Sequence, residues 1–126
     1  SKDDLALKVL DGHLMTLADS LGPHEWSSIE AAEALFMHIA EHRSIYQGTL
    51  TDPEAVAIHM AFEDVIRSHI APQLADVGAL PASIVERYIL STQMAMLRWW
   101  LAAEDRPTVH EMAAYTRRLL VNGVGT

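Results

Sequence analysis

Residues 93–112, QMAMLRWWLAAEDRPTVHEM, place two adjacent tryptophans in a segment of helical periodicity whose apolar residues fall on two sides. At 100° per residue, the segment 81–104 gathers Ile84, Tyr88, Ile89, Thr92, Ala95, Met96, Trp99 and Trp100 into a wide arc. Leu90, Met94, Leu97 and Leu101 form a separate, narrow one. Two polar seams part them, Glu86, Gln93 and Glu104 on one side and Arg87 and Arg98 on the other. Two apolar faces need two covers. The wide arc reads as the face toward the chain's own core, and the narrow seam with flanking charges as a face toward a partner helix. A central helix buried on both sides by its own chain satisfies the same pattern, and periodicity does not choose between the two.

Breakers divide the rest of the chain. They fall at Leu21-Gly22-Pro23-His24, Gln47-Gly48-Thr49-Leu50, Val77-Gly78-Ala79-Leu80-Pro81, Asp105-Arg106-Pro107 and Asn122-Gly123-Val124-Gly125. The spacing between them predicts helices over 2–20, 27–43, 52–76, 81–104 and 108–122, with a short helical turn at 44–50. Ser27 with Glu30, Thr51 with Glu54 and Thr108 with Glu111 have the form of capping boxes, and Pro53 suits an early helical position. The first helix carries a stripe of Leu7, Leu10, Leu14, Leu17 and Leu21 with His13 on its margin. The second turns Ile29, Ala32, Leu35, Phe36 and Ile39 inward, and the third Ile58, Phe62, Val65, Ile66 and Ile70, with His69 inside the apolar arc. The last has a broad arc of Val109, Met112, Ala113, Tyr115, Thr116, Leu119 and Leu120. The expected fold is all-α, a single helical bundle of about five long helices.

Composition agrees and narrows the function. A chain of 126 residues suits one domain, and 50% hydrophobic content with only 6% aromatics, six Gly and five Pro favours helices over strands. The absence of cysteine removes disulfides and thiolate metal sites and suits a reducing cytoplasm. No apolar run approaches the ~20 residues of a membrane span, so a soluble domain is expected. A net charge of −8 repels phosphate backbones, which makes this chain by itself a poor nucleic-acid binder. Its start at Ser1 rather than at methionine suggests a piece of something longer.

Several runs resemble the tetracycline-repressor (TetR) family of transcription regulators. Leu80-Pro81 opens a long helix, Ala95-Met96-Leu97-Arg98-Trp99-Trp100-Leu101 follows, and Pro107-Thr108-Val109-His110-Glu111-Met112 opens a last helix ending Arg118-Leu119-Leu120. These are similar to the family's closing two helices. At the other end, Ser1-Lys2-Asp3-Asp4-Leu5 resembles the last part of the stretch that leads from the family's DNA-binding domain into its fourth helix. The resemblance implies that residues 1–126 are the regulatory C-terminal domain of such a regulator. Its helix-turn-helix would then lie upstream of Ser1, so operator DNA would be met only through that other domain. It also implies a homodimer in which the last two helices pair with their copies as a four-helix bundle, an isologous contact. The narrow seam then supplies the interface: Leu90, Met94, Leu97 and Leu101, with Tyr115 and Leu119. In the alternative pairing Trp99 and Trp100 cross the twofold, since interface cores favour Trp. A small, mostly apolar effector would enter between the first four helices, lined by Leu17, Phe36, Ile39, Phe62, His69, Met96 and Trp99. No cofactor or metal is implied.

Other candidate sites are weaker. His38-Ile39-Ala40-Glu41-His42 matches the H-x-x-E-H pattern of inverted zinc proteases, but the histidines sit on the polar flank of their helix and the chain leaves little room for a substrate cleft. An incidental surface pair is the simpler reading. His59 and Glu63 are one turn apart, with Glu63 equally placed for Arg67, and read as an exposed helical pair. His69 reads either as a core histidine with one satisfied hydrogen bond or as a ligand contact. The methionines read as core packing or as an adaptable pocket wall. No Ser-His-Asp arrangement or glycine-rich phosphate loop is present in the sequence, so no enzymatic activity is expected. The alternative to a regulator is a free-standing helical module whose second apolar face binds a different protein.

Overall fold

In a computed structural model that describes residues 2–74 and 80–124, the leucine stripe becomes the inner face of α1 (Lys2–Leu21). Leu10, Leu14, Leu17 and Leu21 are buried there while Lys8, Asp11 and Asp19 stay in water. The remaining elements are α2 (Ile29–Glu41), α3 (Arg43–Thr49), α4 (Val56–Ile70) with a 3₁₀ turn (Ala71–Gln73), α5 (Ala82–Ala102) and α6 (Val109–Val124). Among the described residues there is no strand. Ser1 of the opening motif, residues 75 and 76 of the third predicted helix, and the breaker residues Val77, Gly78, Ala79 and Gly125 lie outside the described residues.

The helix starts depart from expectation where neighbouring turns claim the capping groups. Ser28, extended at φ −81° and ψ 152°, caps α2 by accepting the Ala31 N–H at 3.0 Å, one residue later than the box expected on Ser27. The short turn expected at 44–50 is α3, and it displaces the next start. Thr51 donates its hydroxyl to the Gln47 carbonyl and so finishes α3 instead of opening α4. Asp52 Oδ1 then accepts the Glu54 N–H at 2.9 Å, Pro53 sits in that turn, and α4 begins only at Val56. The box on the last helix forms as expected. Thr108 N–H donates to Glu111 Oε1 at 2.9 Å, and Glu111 N–H donates to Thr108 Oγ1 at 3.1 Å. The Thr108 backbone bond, helped by its side chain, holds the Glu111 carboxyl below its ordinary range.

Packing places α1 along α4 and α2 along α6, with α5 against α3, α4 and α6. The end of α5 is secured from two sides. Arg106 donates from Nε to the Trp100 carbonyl at 3.0 Å and from Nη2 to the Leu101 carbonyl at 2.9 Å, while Gln47 Nε2 reaches Leu101 at 3.0 Å. These donors satisfy carbonyls that a helix terminus leaves open. Trp100 is buried edge-on to Phe36, 5.4 Å between centroids, and its indole N–H donates to the Pro107 carbonyl at 2.8 Å. None of the described helices is long and apolar enough to cross a membrane.

The chain itself covers the narrow face of α5 and only part of the wide one. Leu90, Met94, Leu97 and Leu101 are 7%, 1%, 0% and 0% exposed, so the narrow seam is already covered by the chain itself and offers nothing to a partner. The wide arc is split down its length. Ile89 and Trp100 point inward, with Val85 beside them, whereas Ile84, Tyr88, Ala95 and Trp99 point outward. The half-buried Glu86 and Gln93, which read from the sequence as part of a polar seam, lie between the two buried groups and join them into one broad inner face.

Candidate functional site

The outward half of α5 continues onto α6. Ile84 and Trp99 are each 55% exposed, and Tyr115 and Leu119 on the neighbouring helix 49% and 51%. Tyr88 ties the two helices together. Its hydroxyl donates to the Leu119 carbonyl at 3.2 Å, and its ring lies so close to Gly123 that an added Cβ would overlap it. Large apolar side chains on two adjacent antiparallel helices thus form one patch in water, a feature that monomeric proteins seldom carry without a use. Of the residues expected at the interface, Tyr115 and Leu119 lie in this patch and the four of the narrow seam do not. Ile84, Tyr88 and Ala95 were missed. Their signal was present, since with Trp99 they recur at helical spacing along one side, but the seven-residue pattern of the leucines was the more regular.

The expected ligand-binding residues do not come together around a cavity. Leu17, Phe36, Ile39 and Phe62 are each 0% exposed and pack in one continuous core. Phe62 is edge-on to Tyr46 at 5.4 Å, and Phe36 to Trp100. Met96 is half-buried at the core margin, and Trp99 is on the outside. His69 has a structural partner, because its Nε2 lies 2.7 Å from the His24 carbonyl and so must carry the hydrogen. Gln73 extends this staple by donating to the His69 carbonyl and accepting the Trp26 N–H, which fastens the α1–α2 turn to α4. A shallow groove of about 330 Å³ runs beside His69, walled by Ala18, Val65, Ser68 and Pro72.

The H-x-x-E-H string also has a structural explanation. His38 is 3% exposed with Nε2 2.7 Å from the Tyr46 hydroxyl, inside the bundle rather than on a polar flank. Burial lowers its pKa to about 4, assisted by His42 and His13; the His42 ring lies tilted between them, 4.7 Å from that of His38 and 4.2 Å from that of His13. Burial likewise pushes the Tyr46 phenol up. Among the described residues no group of three His, Cys, Asp or Glu side chains is placed to hold a metal ion. His59 turns away from Glu63; its Nε2 meets the Thr49 carbonyl at 2.9 Å and its Nδ1 faces Arg98 Nη2 at 3.4 Å. Arg67 pairs instead with Asp64 and Glu86.

A family model described as "Transcriptional regulator C-terminal region" matches residues 27–122, from the turn before α2 to the last turn of α6. Neither a curated protein nor a solved structure is significantly similar to the chain.

Proposed function

Because the chain belongs to the family of TetR-type transcriptional-regulator C-terminal regions, we propose that it is the dimerisation and effector-sensing half of a cytoplasmic repressor. The observation that carries this reading is the uncovered face of Ile84, Tyr88, Ala95 and Trp99 on α5 with Tyr115 and Leu119 on α6. Two such faces related by a twofold form a four-helix bundle, each Trp99 moving from water into an apolar contact. An operator-binding domain upstream of α1 would supply the DNA contact that an acidic chain of charge −8 disfavours. The paired domains must present recognition helices about 34 Å apart, so the dimer fixes the geometry that operator binding needs.

Effector sensing acts through α1 in this proposal. Leu17 of α1 is packed into the same core as Phe36, Ile39 and Phe62. A small apolar molecule reaches those side chains only in an opened arrangement of the bundle, and by binding that arrangement better it shifts the population toward it. Movement of α1 would then change the spacing of the upstream domains and release DNA.

The decisive variant is Trp99→Glu, examined by native mass spectrometry at low micromolar concentration. The expected result is a dimer for the parent chain and a monomer for the variant, with unchanged helical content. A monomeric parent chain removes the dimer and favours a face for a different protein. A variant that stays dimeric moves the contact elsewhere.

A further inference from the structure

A separate surface feature lies where α3, α4 and α5 meet. Leu50, Thr51, Pro53, His59 and Arg98 bound an open pocket of about 400 Å³, in the lower part of the range for small-molecule sites. Leu50 and Pro53 give it apolar walls. Arg98 is its one cationic side chain, half-buried and reaching from α5 toward the α3–α4 turn.

The hydrogen bonds define which donors remain. His59 Nε2 lies 2.9 Å from the Thr49 carbonyl, an acceptor, so Nε2 carries the hydrogen and Nδ1 of the neutral ring presents its lone pair to Arg98. Arg98 donates from Nη2 to that nitrogen at 3.4 Å and from Nε to the Leu50 carbonyl at 3.3 Å. Both contacts are at the long end of hydrogen bonding. Nη1 makes no hydrogen bond among the described residues, which leaves its two hydrogens available to a ligand. Other arginines are held differently. Arg67 has carboxylates at 2.6 and 2.9 Å, and Arg106 has carbonyls at 2.9 and 3.0 Å. Among the described residues no carboxylate pairs with Arg98.

A half-buried guanidinium with long contacts, free donors and apolar walls matches the planar, two-oxygen geometry of a carboxylate. The surroundings narrow the class. Asp52 and Glu54, exposed on the turn that contributes Thr51 and Pro53, repel a multiply charged anion, and the Thr51 hydroxyl is already committed to the Gln47 carbonyl. A single negative charge carried on a compact apolar body fits best. We propose that this pocket binds a small monocarboxylic acid, its carboxylate on Arg98 and its apolar body against Leu50 and Pro53. The site does not depend on dimerisation, although Trp99, the next residue, places it beside the uncovered face.

The test is a titration of the whole chain with benzoate, followed by NMR at the Arg98 Nε–H and the His59 ring. Benzamide, of the same shape without the charge, and inorganic phosphate serve as comparisons. Benzoate is expected to give saturable shifts at both groups, with benzamide and phosphate at least tenfold weaker, and Arg98→Gln is expected to abolish saturation. Arg98→Lys, which keeps the charge but loses the fork, is expected to weaken binding without removing it. Absence of saturation with benzoate, equal shifts from benzamide, or benzoate shifts that survive Arg98→Gln would each overturn the site. Phosphate binding as tightly as benzoate overturns the monocarboxylate class. The comparison of benzoate with benzamide and phosphate uses the parent chain and holds even where a variant fails to fold.

Discussion

His38 shows what a single buried group imposes on the fold. Its ring titrates near 4 in the folded chain against an ordinary value of 6.5, because the protonated form loses water without gaining a partner charge. The unfolded chain therefore binds a proton between these values that the folded chain refuses. Stability contributed by the neutral ring is complete above about pH 6.5 and is lost as pH falls toward 4, a difference on the order of 3 kcal/mol. Urea midpoints measured from pH 7 to 4.5 are expected to fall with pH, and His38→Gln to flatten that slope; an equal slope in the variant would place the effect elsewhere. Tyr46→Phe takes away the hydroxyl 2.7 Å from His38 Nε2 and leaves a buried polar nitrogen unpaired, so a loss of about 1–3 kcal/mol is expected by urea unfolding. The sequence alone placed His38 on a polar flank. Its burial depends on Tyr46, eight residues on and beyond a helix break, and helical periodicity carries no information across that break.

At the scale of elements, the order and type of the helices were legible and their starts only partly so. Thr108 and Glu111 form the box their spacing suggested, each donating a backbone N–H to the other's side chain. Thr51 and Glu54 do not, because the end of α3 takes the Thr51 hydroxyl first. The same competition explains α5. A leucine seam spaced as in a coiled coil is equally the inner face of a helix that meets α3, α4 and α6 together, and only the positions of those helices decide. This reassignment changes what a charge at Leu97 is expected to do. Leu97 is 0% exposed, so Leu97→Glu buries an unpaired carboxylate and is expected to abolish cooperative thermal unfolding rather than to yield a folded monomer. A folded, helical, monomeric Leu97→Glu variant in analytical ultracentrifugation would restore the seam as the interface.

For the molecule as a whole, the family was legible from the runs around Trp99 and Thr108, while the ligand site was not. Core aromatics and pocket aromatics share one periodicity, and Phe36 and Phe62 turned out to be packed against Trp100 and Tyr46. The proposed dimer adds a thermodynamic signature that no internal core gives. If the outward face of α5 and α6 is buried only by a second copy, folding and association are linked, and the thermal midpoint depends on protein concentration. Trp99, at 55% exposed, and the neighbouring Ile84, Tyr115 and Leu119 are the groups whose transfer from water drives that linkage. Calorimetry of the parent chain over a hundredfold range of concentration is expected to show the midpoint rising with concentration, while Trp99→Glu unfolds at one temperature throughout. Because Trp99 contributes little to its own chain's core, the variant at any concentration should match the parent chain at its most dilute. A parent chain whose midpoint ignores concentration would mean that the patch stays in water under these conditions and that association has no part in holding the bundle together.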